Sequence, residues 1–180
     1  MSVLAGPFAI AYVLLAVGGA AKAVRPRDTA NALGAIGVKF PRILPARLVV
    51  RVGGVLEAAI AVAALLVGGP ALCALVAASY LAFAGFVMVA LRSGAPISSC
   101  GCFGKVDTPP SVIHVVLDAG FAGVAAGAAF TGGVALPDVL ADQPLAGVPF
   151  VLLVVIGCSL VFLAFSSLPK TMAAVREVAA

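Results

Sequence analysis

Two thiols one residue apart, Cys100 and Cys102, lie in the stretch Ser98-Ser99-Cys100-Gly101-Cys102-Phe103-Gly104-Lys105. A disulfide across a single intervening residue demands a tight, strained turn, which Gly101 permits, and strain makes such a bond easier to reduce. That favours a pair that cycles between dithiol and disulfide over a permanent staple. Lys105 can stabilise a thiolate, and a helix beginning near Ser111 can add its positive dipole end. Two other readings stay open: unpaired cysteines in a glycine turn, or a metal site that recruits His114 as a third ligand. One cysteine pair and one histidine fall short of a structural zinc set.

The remaining candidates are ionisable residues inside apolar runs, where the cost of desolvation makes each one a functional candidate. Lys22 ends the first run, Glu57 is near the middle of the second, and His114 and Asp118 open the fourth. His114 and Asp118 are four residues apart and share a helix face, so Asp118 could fix the imidazole tautomer. Lys22 and Glu57 could pair to lower the cost of burying each, although Lys22 taken alone is expected to snorkel to the interface. Glu57 stands about nine residues into its run, roughly 14 Å deep, and needs a partner or a cavity. Cys73 and Cys158, inside the third and fifth runs, are expected to pack as small hydrophobes rather than to form a transmembrane relay. Gly123 and Gly127, extended by Ala119, make a small-residue pattern expected to pack inside the bundle.

The elements that position these groups must live in lipid. Of 180 residues, 63% are hydrophobic and 10% charged, whereas a soluble domain carries about 25% charged residues. Residues 5–24, 48–68, 71–91, 112–131 and 147–168 are apolar over the roughly 20 residues that a membrane-spanning helix needs. The expected fold is all-α: a polytopic membrane bundle of about five transmembrane helices forming one domain, 1–180. Arg25-Pro26-Arg27, Pro41, Pro45, Gly68-Gly69-Pro70, Pro109-Pro110 and Gly132-Gly133 punctuate the runs. Gly68-Gly69-Pro70 predicts a tight hairpin between the second and third spans. Asp28 is expected to cap a short interfacial helix over Thr29 to Val38. Ala21-Lys22-Ala23 resembles a signal-peptide cleavage site, but the basic cluster follows the apolar run instead of preceding it, which predicts a retained anchor.

All 11 basic residues flank these runs. Lys22, Arg25, Arg27, Lys39, Arg42, Arg47 and Arg51 gather at the first connection, Arg92 and Lys105 at the third, and Lys170 and Arg176 in the tail. The second and fourth connections have none. By the positive-inside rule the protein is a multi-pass cell-membrane protein with its N-terminus outside and its C-terminus and cysteine loop cytoplasmic. The net charge of +4 therefore reflects membrane orientation. No basic-aromatic face for nucleic acid, nucleotide-binding loop, serine elbow or zinc-protease motif is present.

In order along the chain, Gly18-Gly19-Ala20-Ala21-Lys22-Ala23-Val24-Arg25-Pro26, Glu57 ahead of the run Ala58 to Leu66, Cys100-Gly101-Cys102-Phe103-Gly104, then Ser111 and His114 resemble the methylamine-utilisation protein MauE family, itself related to DoxX-like small membrane proteins. The resemblance covers residues 5–131 as a four-helix core, with 147–168 as an additional C-terminal helix. Such proteins often carry an Arg-Asn pair just after the histidine; this chain has Leu117-Asp118, so a role for that arginine does not transfer. The resemblance implies thiol-disulfide traffic at the membrane beside an extracytoplasmic thioredoxin-like partner, in maturation of a disulfide-rich amine dehydrogenase.

The expected function is thus a thiol-disulfide oxidoreductase or electron relay with Cys100, Cys102, His114 and Asp118 as the catalytic set. Lys22, Glu57, Gly101, Phe103, Gly104 and Lys105 support it. His114 would exchange the thiol proton, and Glu57 would serve a proton path or a quinone-like carrier. A cytoplasmic pair cannot directly oxidise a protein outside, so the implied role requires a thiol relay or the reversed orientation. The alternatives are a non-catalytic assembly or scaffold factor and a small metal- or solute-handling protein with Glu57, His114 and Asp118 lining a polar pocket.

Overall fold

The structure is a computed structural model that describes residues 5–41, 43–94, 110–133, 135–169 and 171. Every regular element among them is helical. The order is α1 (Ala5–Val24), α2 (Pro26–Ala35), α3 (Ala46–Val67), α4 (Pro70–Ser93), α5 (Val112–Phe130), α6 (Leu136–Ala141), a 3-10 turn (Pro144–Gly147) and α7 (Val148–Ser166). Helices α1, α3, α4, α5 and α7 are the five that are long and apolar enough to cross a membrane. The all-α membrane bundle expected from composition is the fold observed.

Prolines set several of the helix starts. Pro26 and Pro70 each occupy the first turn of a helix, where the missing N–H costs nothing. Pro45, in extended conformation, precedes α3. The helix expected over Thr29 to Val38 instead runs from Pro26 to Ala35, so Asp28 lies in its first turn, favourable to the helix dipole, and is not its cap. This helix ends where Gly37 turns left-handed (φ 85°), with Gly37 N–H donating to Gly34 O and Val38 N–H to Leu33 O. Those two bonds make a Schellman ending, which satisfies carbonyls that the helix leaves open.

The long helices associate as two close pairs, α1 with α3 and α4 with α5. Gly68-Gly69 does join α3 to α4 in a short turn, but each of these helices packs most extensively on its other neighbour. The reason is visible at Gly19 and Gly54. A Cβ on Gly19 would lie 2.7 Å from the Gly54 carbonyl oxygen, and one on Gly54 would lie 2.6 Å from the Gly19 carbonyl oxygen. Only glycine at both positions lets the α1 and α3 backbones touch. Between the two pairs, bulkier groups fill the gap: Phe8, Tyr12 and Leu15 of α1 meet Val76, Ala77 and Tyr80 of α4 and Ala122 and Ala125 of α5 in one core. Tyr80 donates a hydrogen bond to Ala11 O and packs its ring 5.3 Å from Phe121.

The small residues of α5 behave differently from expectation. A Cβ on Gly120, Gly123 or Gly127 would meet nothing within 4 Å. The Gly123/Gly127 pattern therefore faces away from the bundle, and the face of α5 that packs is the one bearing His114, Asp118, Ala122, Ala125 and Ala128.

Candidate functional site

Cys100, Gly101, Cys102, Phe103, Gly104 and Lys105 lie outside the described residues. The chain that carries them leaves at the end of α4 and returns at the start of α5. That end of the bundle also holds the end of α1, all of α2 and the start of α3, and with them Lys22, Arg25, Arg27, Arg47, Arg51 and Arg92.

Just inside this end sits a buried ion pair. Lys22, in the last turn of α1, meets Glu57 Oε2 on α3, the side chains being 7% and 20% exposed. The Gly19–Gly54 contact one turn away makes the meeting possible, because Glu57 Cβ lies 3.1 Å from where a Gly19 Cβ would stand. Lys22 does not snorkel. Its ammonium points into the bundle and lies 3.8 Å above the centre of the Phe83 ring, a cation-π arrangement strengthened by the burial of the side chain. Glu57 Oε2 accepts no hydrogen bond from any other described residue, so the ammonium is its compensation. On the outer edge of the same contact, Arg51 Nε donates to Ala23 O at 3.1 Å, tying α3 to the final turn of α1.

On α5, Ser111 caps the helix by backbone position while its Oγ lies 2.8 Å from His114 Nδ1. Ser111, and not Asp118, is thus the group that orients the imidazole: among the described residues no hydrogen bond joins His114 to Asp118. The imidazole is buried (3% exposed) against Phe165 of α7, ring centres 5.2 Å apart. Asp118, one turn deeper, is 4% exposed and faces a cavity of about 20 Å³ shared with Lys22, Tyr80, Phe83 and Phe165. The structure therefore gathers Lys22, Glu57, His114 and Asp118, taken from three helices, into the same end of the bundle.

Chemically, this arrangement can hold charge and protons away from water. An ammonium with two carboxylates near it is a polar cluster in apolar walls, and the adjacent imidazole, anchored by one nitrogen, keeps its other nitrogen for exchange. No three His, Cys, Asp or Glu side chains stand at metal-binding distances among the described residues.

Cys73 and Cys158 are far from this chemistry in character. Cys73, buried near the start of α4, accepts a 3.0 Å hydrogen bond from Tyr12 Oη. About 20 residues of helix, roughly 30 Å, separate it from the far end of α4. Cys158 packs half-buried in α7, its sulfur 4.0 Å from Ile10 O.

Sequence reasoning did not single out Tyr80, Phe83 or Phe165, and it used Ser111 as a helix start and a part of the family resemblance without linking it to the imidazole. Aromatic residues in apolar helices look like filler until the fold places them around a charge. A usable signal did exist for the α1–α3 contact: Gly19-x-x-x-Ala23 and Gly54-x-x-x-Ala58 are small-residue repeats that flank Lys22 and Glu57.

A family model described as Methylamine utilisation protein MauE matches residues 1–131, ending just after α5 and leaving α7 beyond it. No curated protein and no solved structure matches the chain.

Proposed function

The chain belongs to the MauE family, and from that premise we propose that it transfers reducing equivalents between thiols at the membrane, with Cys100 and Cys102 as the reacting pair. The observation that carries this reading is the gathering of Lys22, Glu57, His114 and Asp118 at the end of the bundle to which the Cys100–Cys102 connection is joined at both its ends. Buried ionisable groups from three helices are costly in lipid, and a site that handles protons is a reason to retain them.

In the proposed exchange one thiolate of the pair attacks a disulfide of a thioredoxin-like protein and forms a mixed disulfide. The second thiolate then attacks the bound sulfur, leaving Cys100 and Cys102 oxidised and the partner as a dithiol. Two electrons pass to the partner, and the two thiol protons end on its sulfurs. His114, held at Nδ1 by Ser111, is the group proposed to pass those protons, with Asp118 and the Lys22–Glu57 pair setting the field around it. A quinone-like carrier is the alternative acceptor for the same two electrons and two protons.

The positive-inside rule favours the cytoplasm for this end, and the partner then meets the protein on the side that the cysteines face. Cys73 supports no relay to the other face, since its place near the start of α4 leaves most of the bilayer to cross. The test is thiol labelling in intact cells. A membrane-impermeant maleimide should leave Cys100 and Cys102 unlabelled until the cells are opened, and reductant should then raise the count by two labels. Rapid labelling from outside would move the site to the opposite face, in direct reach of an extracytoplasmic partner; equal labelling with and without reductant would remove the redox role.

A second reading, an assembly factor with no catalysis, is favoured by one observation: the Lys22–Glu57 pair sits beside the close Gly19–Gly54 backbone contact of α1 and α3, where it would serve architecture. Full function in Cys100→Ser with Cys102→Ser would establish that reading.

A further inference from the structure

The cavity between Lys22 and Asp118 has a composition that its walls alone do not explain. Its volume is about 20 Å³ and its lining is Leu14, Leu15, Gly18, Lys22, Tyr80, Phe83, Asp118 and Phe165. An apolar void of this size stays dry, whereas one with two to four polar partners holds a water once its volume exceeds about 10–15 Å³. Three residues with polar side chains, Lys22, Tyr80 and Asp118, line this one. Asp118 is 4% exposed and takes no hydrogen bond from any described residue, so within them its oxygens have lone pairs left to accept. Tyr80 spends its only proton on Ala11 O, so its oxygen has lone pairs left to accept. Lys22 has three N–H groups; Glu57 takes one and the Phe83 face another, and one is left.

We propose that this cavity is a binding site for a single ordered water, which accepts from the Lys22 ammonium and donates to the Asp118 carboxylate and to Tyr80 Oη. Three hydrogen bonds is the usual complement of a buried water, and each of the three protein groups has hydrogen-bonding capacity left to supply one. The consequence is connectivity: Glu57, Lys22, the water and Asp118 form one hydrogen-bonded chain across α3, α1 and α5, and the charges of the cluster respond as a unit. The site is independent of the thiol reading, because it rests on these side chains and the cavity alone.

The test is a structure of the full chain in lipid at a resolution that shows ordered water, for the wild type and for Asp118→Asn and Asp118→Leu. The wild-type map should show one peak within hydrogen-bonding distance of Lys22 Nζ, Asp118 and Tyr80 Oη. The peak should remain in Asp118→Asn, whose side chain keeps an acceptor, and vanish in Asp118→Leu. An empty wild-type cavity, or a closed one in which Lys22 touches Asp118 directly, would overturn the proposal. The wild-type map decides this even if a variant does not fold, and its result leaves the thiol labelling outcome unaffected.

Discussion

Helices α1 and α7 are both about one membrane thickness long and both strongly apolar, yet 50% of the α1 spanning window is buried in the protein and only 11% of the α7 window. Their side chains explain the difference. Helix α1 offers Gly18 and Gly19 for close approach, Tyr12 with a hydroxyl to place, and Lys22 with a charge to neutralise. Helix α7 offers Leu152, Leu153, Val155, Ile156, Leu160 and Leu163, all more than half exposed. In water those side chains would drive α7 inward. In lipid they gain nothing by leaving the bilayer, so the centre of the bundle goes to the helix whose small and polar residues need protein neighbours.

The sharpest way to break the comparison is to enlarge the glycine contact. Gly54→Leu forces a side chain into the Gly19 carbonyl and should prevent accumulation of folded protein, a destabilisation of about 3 kcal/mol or more, read as loss of the monodisperse peak after detergent extraction. A substitution of equal size on the bare face of α5, Gly123→Leu, should leave that peak in place; if both behave alike, the α1–α3 contact is not what organises the bundle.

Next in size is the ion pair. Lys22→Met strands Glu57 in low dielectric and should cost about 3 kcal/mol. Adding Glu57→Met removes the stranded charge and should recover most of the stability, measured as the midpoint of denaturant-induced unfolding in mixed micelles. A double variant no better than the single would mean that the pair is not the source of the loss.

Tyr12→Phe deletes the hydrogen bond to Cys73 Sγ and keeps the ring, so about 1 kcal/mol should disappear, visible as a small drop in thermal midpoint. The same variant should also quicken alkylation of Cys73 under mild denaturation. Unchanged midpoint and rate together would show that this bond contributes nothing. The smallest effect belongs to α7: Leu152→Ala on its lipid side should stay within about 0.5 kcal/mol of the parent, and a larger loss would imply a partner covering that face.

Much of the architecture was legible in the sequence because a hydrocarbon core imposes a length and a polarity on every spanning segment. The five spans, their separating prolines and glycines, and the clustering of Lys and Arg at one end all follow from that rule. The four ionisable residues inside spans were legible for the same reason, since each stands out against apolar neighbours. Less legible were directions. Lys22 near a helix end can snorkel or turn inward, and its local sequence is the same either way; a facing carboxylate one glycine contact away on α3 decides it. His114 and Asp118 share a helix face, which suggested that they bond to one another, but Ser111 reaches the imidazole first.

By itself, then, the sequence determined that this protein lives in the membrane as helices, which residues are out of place in lipid, and that two cysteines stand one residue apart in the chain. Tertiary structure alone decided which small residues pack: Gly19 and Gly54 touch backbone to backbone while Gly123 and Gly127 face outward. It also decided that Lys22, Glu57 and Asp118 form one cluster walled by Tyr80, Phe83 and Phe165. The physical reason is that hydropathy acts on each helix separately, whereas close packing and charge pairing are properties of two helices at once.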